Sequence, residues 1–369
     1  MPLVSTQIRP TRAEIDLAAL AHNLRVVRAR AGEVPVYAVV KADAYGHGLL
    51  PVAHRLAAEG VDGFCVALAE EGLRLRAAGI NAPIIVLNGI YDGAHRRVLE
   101  AGLTPVVYDL DDVERFSVEA RGRPHGVHLK VDTGMTRLGV RPDALAAILD
   151  RLEQTPLRVA GLMTHFSSAE DDAEATDAQL SVFREAVALV RARGHTPRLH
   201  AANSGAVFER PDAHADLVRA GVALYGIRSS ASPELDLRPV MRLVTSVARV
   251  VDVPEGTAVG YGRTWTAARP SRIATLAIGY GDGLMRHLSN RGHALLSGTR
   301  CPLVGRISMD LTGVDVTGVA CARGDEAVLW GHQAGALLHP EEVAARAGTI
   351  AYEVLASVSP RVPRVAING

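Results

Sequence analysis

The sequence predicts an α/β protein: a (β/α)8 TIM-like barrel over residues 1–235, followed by a smaller, mostly β domain over residues 236–369. Three observations carry that expectation. From about residue 35 to 225, short β-branched runs alternate with longer amphipathic stretches rich in Ala, Leu and Arg. The alternation contains eight strand-and-crossover units, the number that closes a barrel. After about residue 236 the texture changes to short strands separated by Gly, Pro and Asp turns. A chain of 369 residues also exceeds what one hydrophobic core usually serves.

The eight strands are read at Val36–Lys41, Gly63–Ala67, Pro83–Asn88, Thr104–Tyr108, Val127–Val131, Val159–His165, Arg198–Ala201 and Asp216–Arg219. Between them, helices are read over 49–59, 68–78, 92–100, 111–119, 142–153, 175–193 and 205–210. Leu73-Arg74-Leu75-Arg76-Ala77-Ala78 shows helical periodicity, and Gly79 stands at the position that commonly ends a helix. An open doubly wound sheet is the alternative, disfavoured because no GxGxxG follows the first strand. The stretch Ser229–Pro239 reads as a linker. Beyond it, strands are expected at Val240–Val253, Arg272–Ile278, Gly292–Leu296, Cys301–Ile307 and Glu326–Leu329, with one helix over 339–347. The first residues of the chain can also pair with this second domain.

Composition narrows the function. Forty basic and forty acidic residues cancel, so the chain lacks the basic excess of a nucleic-acid binder or a polybasic membrane-surface protein. A hydrophobic content of 48% excludes disorder. The start, MPLVSTQIRP, shows no export signal, and no run reaches about 18 apolar residues. The three cysteines lack CxxC spacing and read as thiols of a reducing compartment. A cytoplasmic protein is expected. No HxxxH or HxH cluster suggests a metal, and His47 reads as a loop-supporting residue.

Of the forty basic residues only two, Lys41 and Lys130, are lysines. On a surface the two residue types solvate equally well, but only lysine has a primary amine that can lose its proton and attack carbon. Lys41 ends the first strand and Lys130 lies near the end of the fifth, so both fall on the carboxyl-end rim, where barrel active sites form. Arg137 follows seven residues after Lys130. His165 ends the sixth strand, Asn203 and Ser204 follow the seventh, and Arg219 with Gly221 closes the eighth. A lysine amine there suggests a Schiff base, to a substrate carbonyl or to pyridoxal 5′-phosphate. Small residues and a hydroxyl after strands seven and eight suit a phosphate and favour the second choice.

The string AVVKADAYGHG around Lys41 closely resembles the pyridoxal-phosphate attachment motif of alanine racemases. The resemblance continues in order through LKVDTGMTRLG, MTHFSSAE, HAANSGA, LVRAGVALYG, VGYGRTW, IGYGDG, VGRISMD and IAYEVL, from about residue 11 to the C-terminus.

The resemblance implies an isomerase that interconverts L- and D-alanine by a two-base mechanism, supplying D-alanine for peptidoglycan. Lys41 would carry the cofactor as an internal aldimine and act as one base. Tyr261 would be the other, contributed by the partner in a homodimer with shared sites. Tyr45, Asn203, Ser204, Gly221, Val222 and Tyr352 would surround the phosphate, and Arg219 would face the pyridine nitrogen. His165 would join the network behind the catalytic tyrosine. Arg137 would contact the substrate carboxylate, steadied by Lys130 as the family's carbamylated lysine, and Met309 with Tyr280 would border the substrate entrance. Two positions depart from the commonest family pattern: Ser308 stands where many relatives carry cysteine, and Gly281 where alanine is frequent. Both bear on pocket tightness and leave room for broader specificity. A barrel-fold decarboxylase would be marked by a late Cys-bearing Gly/Asp motif, which is absent, and a non-enzymatic cofactor carrier would be a lone barrel.

Overall fold

The computed structural model describes residues 8–91, 93–228 and 235–369. The chain divides into two compact units. One comprises Leu20–Ala44 and Leu49–Leu237; the other comprises the chain up to Ala19, the short segment Tyr45–Gly48, and Arg238–Gly369.

The strand that opens the second unit's sheet comes first in the chain, β1 (Arg12–Asp16). The barrel strands follow: β2 (Val36–Val39), β3 (Gly63–Val66), β4 (Ile84–Val86), β5 (Thr104–Val107), β6 (His125–Lys130), β7 (Leu157–Met163), β8 (Arg198–His200) and β9 (Val218–Ala220). They form one eight-stranded sheet in the order β8-β7-β6-β5-β4-β3-β2-β9, with every pairing parallel. Every residue of β2, β3 and β4 is buried, as in a parallel sheet covered on both faces. The expected eight-unit barrel is therefore present and nearly closed. At the remaining seam, between β8 and β9, the Asp216 N–H donates to Leu199 O (3.0 Å) and the Arg219 N–H to Ala202 O (3.0 Å). The Asp216 carboxylate accepts from the Leu199 N–H at 2.7 Å, a third tie across the seam.

The crossover helices begin where side chains satisfy the free N–H groups of a helix start. Asp109 accepts from the Asp112 N–H ahead of Leu110–Ala120, Asp172 from the Ala175 N–H ahead of Ala173–Ala192, and Asn203 from the Ala206 N–H ahead of Ser204–Glu209. The helix expected over 92–100 is observed at His95–Glu100; Asp92 lies outside the described residues. So does most of the expected linker, residues 229–234.

The second unit is built on β10 (Met241–Val253), β11 (Ala258–Val259), β12 (Trp265–Thr266), β13 (Ser271–Leu276), β14 (His293–Leu296), β15 (Thr299–Pro302), β16 (Thr312–Asp315), β17 (Glu326–Gln333), β18 (Ala336–Leu338) and β19 (Arg364–Ile367). The main sheet runs β15-β14-β17-β10-β1-β19, so β1 lies between β10, antiparallel, and β19, parallel. An irregularity between Val247 and Arg249 shifts the register in which β10 pairs with β13. Two expectations need adjustment here. The run Cys301–Ile307 is not one strand, because the chain turns at Gly305, whose φ is +74°. A second helix, Ala351–Ala356, follows Pro340–Ala347; six residues are too few to show periodicity in the sequence.

Candidate active site

In the barrel unit, the candidate residues collect where the strands end. Lys41 follows β2 and opens an unusual turn. Ala42, Asp43, Ala44 and Tyr45 all have φ between +52° and +57°. Left-handed geometry costs about 1–2 kcal/mol for each residue with a Cβ, and it rarely recurs at consecutive positions. Contacts hold this turn in place. The Ala44 N–H donates to Val40 O (2.9 Å), and the Ala42 N–H to the Glu71 carboxylate (2.6 Å). The Asp43 carboxylate accepts from the Leu49 N–H (3.1 Å) and pairs with Arg74 at 3.5 Å.

The Lys41 amine lies in the field of Arg137 and Arg219. Burial first, and then these two cations, hold its pKa below the ordinary lysine value, while Glu71 and Cys65 act in the opposite direction. Cys65 itself is buried, its thiol pushed up to about 12, so it stays neutral. Lys130 ends β6 and is buried, and its pKa is pulled down to about 8 by burial and then by Arg219 and Arg137. It is flanked by cations, and Asp132 acts in the opposite direction.

Arg137 is exposed and has no ion-pair partner among the described residues. The loop presenting it is folded back on β6 by Val140 N–H to Lys130 O (2.7 Å) and Asp132 N–H to Val140 O (2.9 Å). Asp132 Oδ1 accepts from the Gly134 and Thr136 N–H groups, both at 3.0 Å. Gly139 permits this return. Its φ is +138°, and a Cβ there would stand 2.4 Å from the Asp132 nitrogen.

Arg219, on β9, is 3% exposed and has no carboxylate partner among the described residues. One terminal nitrogen donates to His200 Nδ1 (2.8 Å) and His200 O (3.0 Å). The other donates to Thr164 O and Ala201 O, both at 2.9 Å, with His165 Nδ1 at 3.4 Å. Its Nε–H is the donor without a partner among the described residues. Because a guanidinium only donates, His200 Nδ1 must accept, so the His200 proton sits on Nε2. That proton is donated to His128 Nδ1 at 2.9 Å, which fixes the His128 proton on Nε2 as well. Gly161 leaves room for the His128 ring, 2.5 Å from where a Cβ would be. Burial and Arg219 hold all three imidazoles below the ordinary histidine range: His128 at about 4, and His165 and His200 well down.

Ser204 opens the helix after β8. Its Oγ accepts from the Gly221 N–H (2.8 Å) and the Ala223 N–H (3.4 Å), leaving the hydroxyl proton to donate. Val222 begins the 3-10 turn Val222–Tyr225. Asn203, Ser204, Gly221 and Val222 are thus joined in one small, donor-rich segment.

The other candidates belong to the second unit. Tyr45 packs at a tilt against Tyr352, with ring centroids 6.1 Å apart. Tyr280 and Met309 are brought side by side by Tyr280 N–H to Ser308 O (3.0 Å) and Gly281 N–H to Met309 O (2.8 Å). Arg361, bonded to both Asp282 and Asp310, ties the same two turns together. Tyr261 sits between β11 and β12 and is 72% exposed, beside a cleft of about 460 Å³ lined by Val259, Thr275, Arg306 and Leu311. Glu71, His128, His200 and Arg361 were not among the sequence candidates. Each acts through a partner distant in the chain, and only the capping position of Glu71 in a first helical turn was visible locally.

The barrel rim thus gathers two desolvated lysine amines in the field of a buried guanidinium. Residues 15–229 match the model of the alanine racemase N-terminal domain and residues 240–366 that of the C-terminal domain. The chain belongs to the alanine racemase family and is an enzyme of that isomerase class. It is 47% identical to the alanine racemase of Sorangium cellulosum, over 97% of this chain and 99% of that protein. The alanine racemase of Streptomyces coelicolor A3(2) superimposes with a TM-score of 0.93 at 40% identity, covering 98% of this chain and 99% of the other. A structure of the Bartonella henselae alanine racemase with covalently bound pyridoxal phosphate superimposes with a TM-score of 0.90 at 31% identity, covering 97% and 99%.

The histidine relay generates a stability prediction. The unfolded chain protonates His128 near its ordinary 6.5, whereas the folded chain resists until about 4. The unfolded state therefore binds more protons in this window, and stability falls as pH drops through it. At about 1.4 kcal/mol per pH unit, the loss attributable to His128 approaches roughly 3 kcal/mol at pH 4. Urea midpoints measured from pH 7 to 4 are expected to show this decline, and His128→Asn, which keeps an acceptor, is expected to flatten it.

Proposed function

We propose that the protein interconverts L- and D-alanine with pyridoxal 5′-phosphate held through Lys41, as a cytoplasmic homodimer supplying D-alanine for peptidoglycan. The observation that carries this reading is the placement of the chain's only two amine side chains at one barrel rim, both desolvated and both in the field of Arg219. The described residues contain no helix long and apolar enough to cross a membrane.

The donor set fits this cofactor. The unpartnered Nε–H of buried Arg219 matches a ring-nitrogen acceptor, and the free Ser204 hydroxyl proton with the neighbouring N–H groups matches a phosphate. Tyr45, Asn203, Gly221, Val222 and Tyr352 would complete the phosphate surroundings. When bound, the cofactor draws electrons away from the amino-acid Cα and makes its proton removable.

Racemisation requires a proton to leave one face of Cα and another to arrive on the opposite face. Lys41 can take or return one because burial and the neighbouring arginines favour its neutral amine. Tyr261, exposed between two short strands, would serve the other face in the partner subunit's site. Arginine does not readily give up a proton, so Arg219 would leave an acceptor beside it unprotonated and restrain electron withdrawal, which favours return of the proton to Cα. His165 accepts toward Arg219 and stays neutral within this network. Arg137, without an ion partner among the described residues, would bind the substrate carboxylate, and Tyr280 with Met309 would border the entrance.

Lys130 would be a carbamate. Its amine, with a pKa near 8, has a far larger neutral fraction at physiological pH than an ordinary lysine, and the neutral form can add to carbon dioxide. A C–N bond forms and one proton is released, giving an anion able to pair with Arg137. With ¹³C-labelled carbon dioxide, a carbamate carbonyl resonance is expected in the protein and absent from Lys130→Ala.

Incubating the purified holoenzyme with L-alanine is expected to yield D-alanine, and borohydride to fix the cofactor on Lys41. Cofactor binding without turnover would indicate a carrier, and carbon dioxide release a decarboxylase. Mixing Lys41→Ala with Tyr261→Phe chains is expected to restore activity through hybrid sites. No recovery after demonstrated subunit exchange would refute cross-subunit catalysis.

A further inference from the structure

Glu71 is a buried carboxylate that touches neither amine directly and yet uses both of its oxygens on the barrel rim. Oε1 accepts from the Ala42 N–H at 2.6 Å, and Oε2 from the Ala67 N–H at 2.9 Å and the Leu68 N–H at 3.2 Å. Ala42 follows Lys41 at the end of β2, while Ala67 and Leu68 follow β3, its neighbour in the sheet. One side chain therefore clasps the ends of two adjacent barrel strands. One turn further along the same helix, Ala69–Ala77, Arg74 pairs with Asp43 in the middle of the left-handed segment. Both helix contacts fall on a backbone stretch whose conformation is intrinsically unfavourable, and an unfavourable conformation persists only where its surroundings impose it.

A helix-capping glutamate has no need of the Ala42 contact. Capping is served by Oε2 alone, through bonds to groups at the start of Glu71's own helix. The Oε1 bond spans 29 residues of sequence to reach the residue next to the amine.

We propose that Glu71 is a positioning residue for the reacting amine: by clasping the ends of β2 and β3 it fixes the left-handed turn that sets where Lys41 points. The same carboxylate supplies the main negative field at that amine. The groups acting on Lys41 are Arg137 and Arg219, which favour its neutral form, and Glu71 and Cys65, which oppose them; Lys130 is a further cation in the cluster. Cys65 is held neutral, so Glu71 is the principal counterweight. The main groups acting on Lys130 are instead Arg219, Arg137, Asp132 and Lys41. The proposal rests on the reading of Lys41 as the reacting amine.

Because the chain has only two lysines, each can be followed separately. Cofactor-free wild type, Glu71→Gln and Glu71→Asp are treated with acetic anhydride across a pH series, and labelling at Lys41 and Lys130 is read by peptide mass spectrometry. Glutamine offers one acceptor oxygen where glutamate uses two, and it carries no charge. The expected result is a Lys41 labelling midpoint moved to lower pH in Glu71→Gln, with Lys130 unmoved. Glu71→Asp is expected to return the midpoint toward wild type. In the loaded enzyme, kcat of Glu71→Gln is expected to fall on the order of 10-fold or more, with a smaller change in KM. A Lys41 midpoint that stays put, or two lysines that move together, would overturn the proposal. If Glu71→Gln does not fold, amide exchange in the wild type decides. The Ala42 N–H is expected to be strongly protected, and exchange at the rate of an exposed loop would overturn the assignment. Borohydride fixation on wild-type Lys41 separates the two failures: if it succeeds while the midpoint stays put, Glu71 loses its role, whereas if it fails, the reading of Lys41 is lost.

Discussion

A guanidinium buried in a barrel, with no carboxylate beside it among the described residues, dominates the electrostatics of the barrel rim. Taking a charge out of water is costly, and the usual remedy is an ion pair. Arg219 is instead surrounded by three carbonyl oxygens and two neutral imidazoles, which solvate the charge without cancelling it. Burial lowers its own pKa only to about 10, so it remains a cation at neutral pH. Its field is felt at Lys41, Lys130, His128, His165 and His200, and in each case it favours the neutral form. A carboxylate partner would have quenched that field, returning both amines toward the protonated state in which neither is nucleophilic.

The imidazole relay follows from the same constraint. A donor that cannot become an acceptor imposes a tautomer on His200, and His200 imposes one on His128. Buried polar groups on neighbouring strands are thereby ordered, at the expense of acid stability. The rim itself is held by short-range devices: the clasped turn after β2, the loop folded back on β6, and the Ser204 hydroxyl bridging to Gly221. These are strand ends converted into fixed platforms, which a rigid barrel supports better than free loops would.

Much of this was legible in the sequence because it depends on periodicity or on rarity. Eight β-branched runs predict eight strands, and the true strands lie within or close to those bounds. The earlier ends of β2 and β7, at Val39 and Met163, place Lys41 and His165 just beyond regular strand. Two lysines among forty basic residues marked the barrel rim. Long-range pairing was not legible. Nothing near Glu71 announces a bond to Ala42, and nothing in KADAY announces four consecutive left-handed residues, since none of them is glycine. The sequence also draws no boundary at Tyr45, yet Tyr45–Gly48 belongs to the second unit, where Tyr45 meets Tyr352. The small turns joining Tyr280 to Met309 depend on backbone bonds that composition does not encode.

The two lysines also explain why arginine could not replace them while it fills nearly every other basic position. Both sit among arginines, where a third permanent charge would add repulsion with no means of relief. An amine has such means, because it can shed its proton. At Lys41 burial and cations are set against one carboxylate, so the amine loses its proton more readily than an ordinary lysine. At Lys130 burial and two arginines outweigh Asp132 and bring the pKa down to about 8, and on the carbamate reading addition of carbon dioxide would turn repulsion from Arg137 into attraction. The same residue type thus serves two ends, and the difference between them lies in which carboxylates the fold brings near.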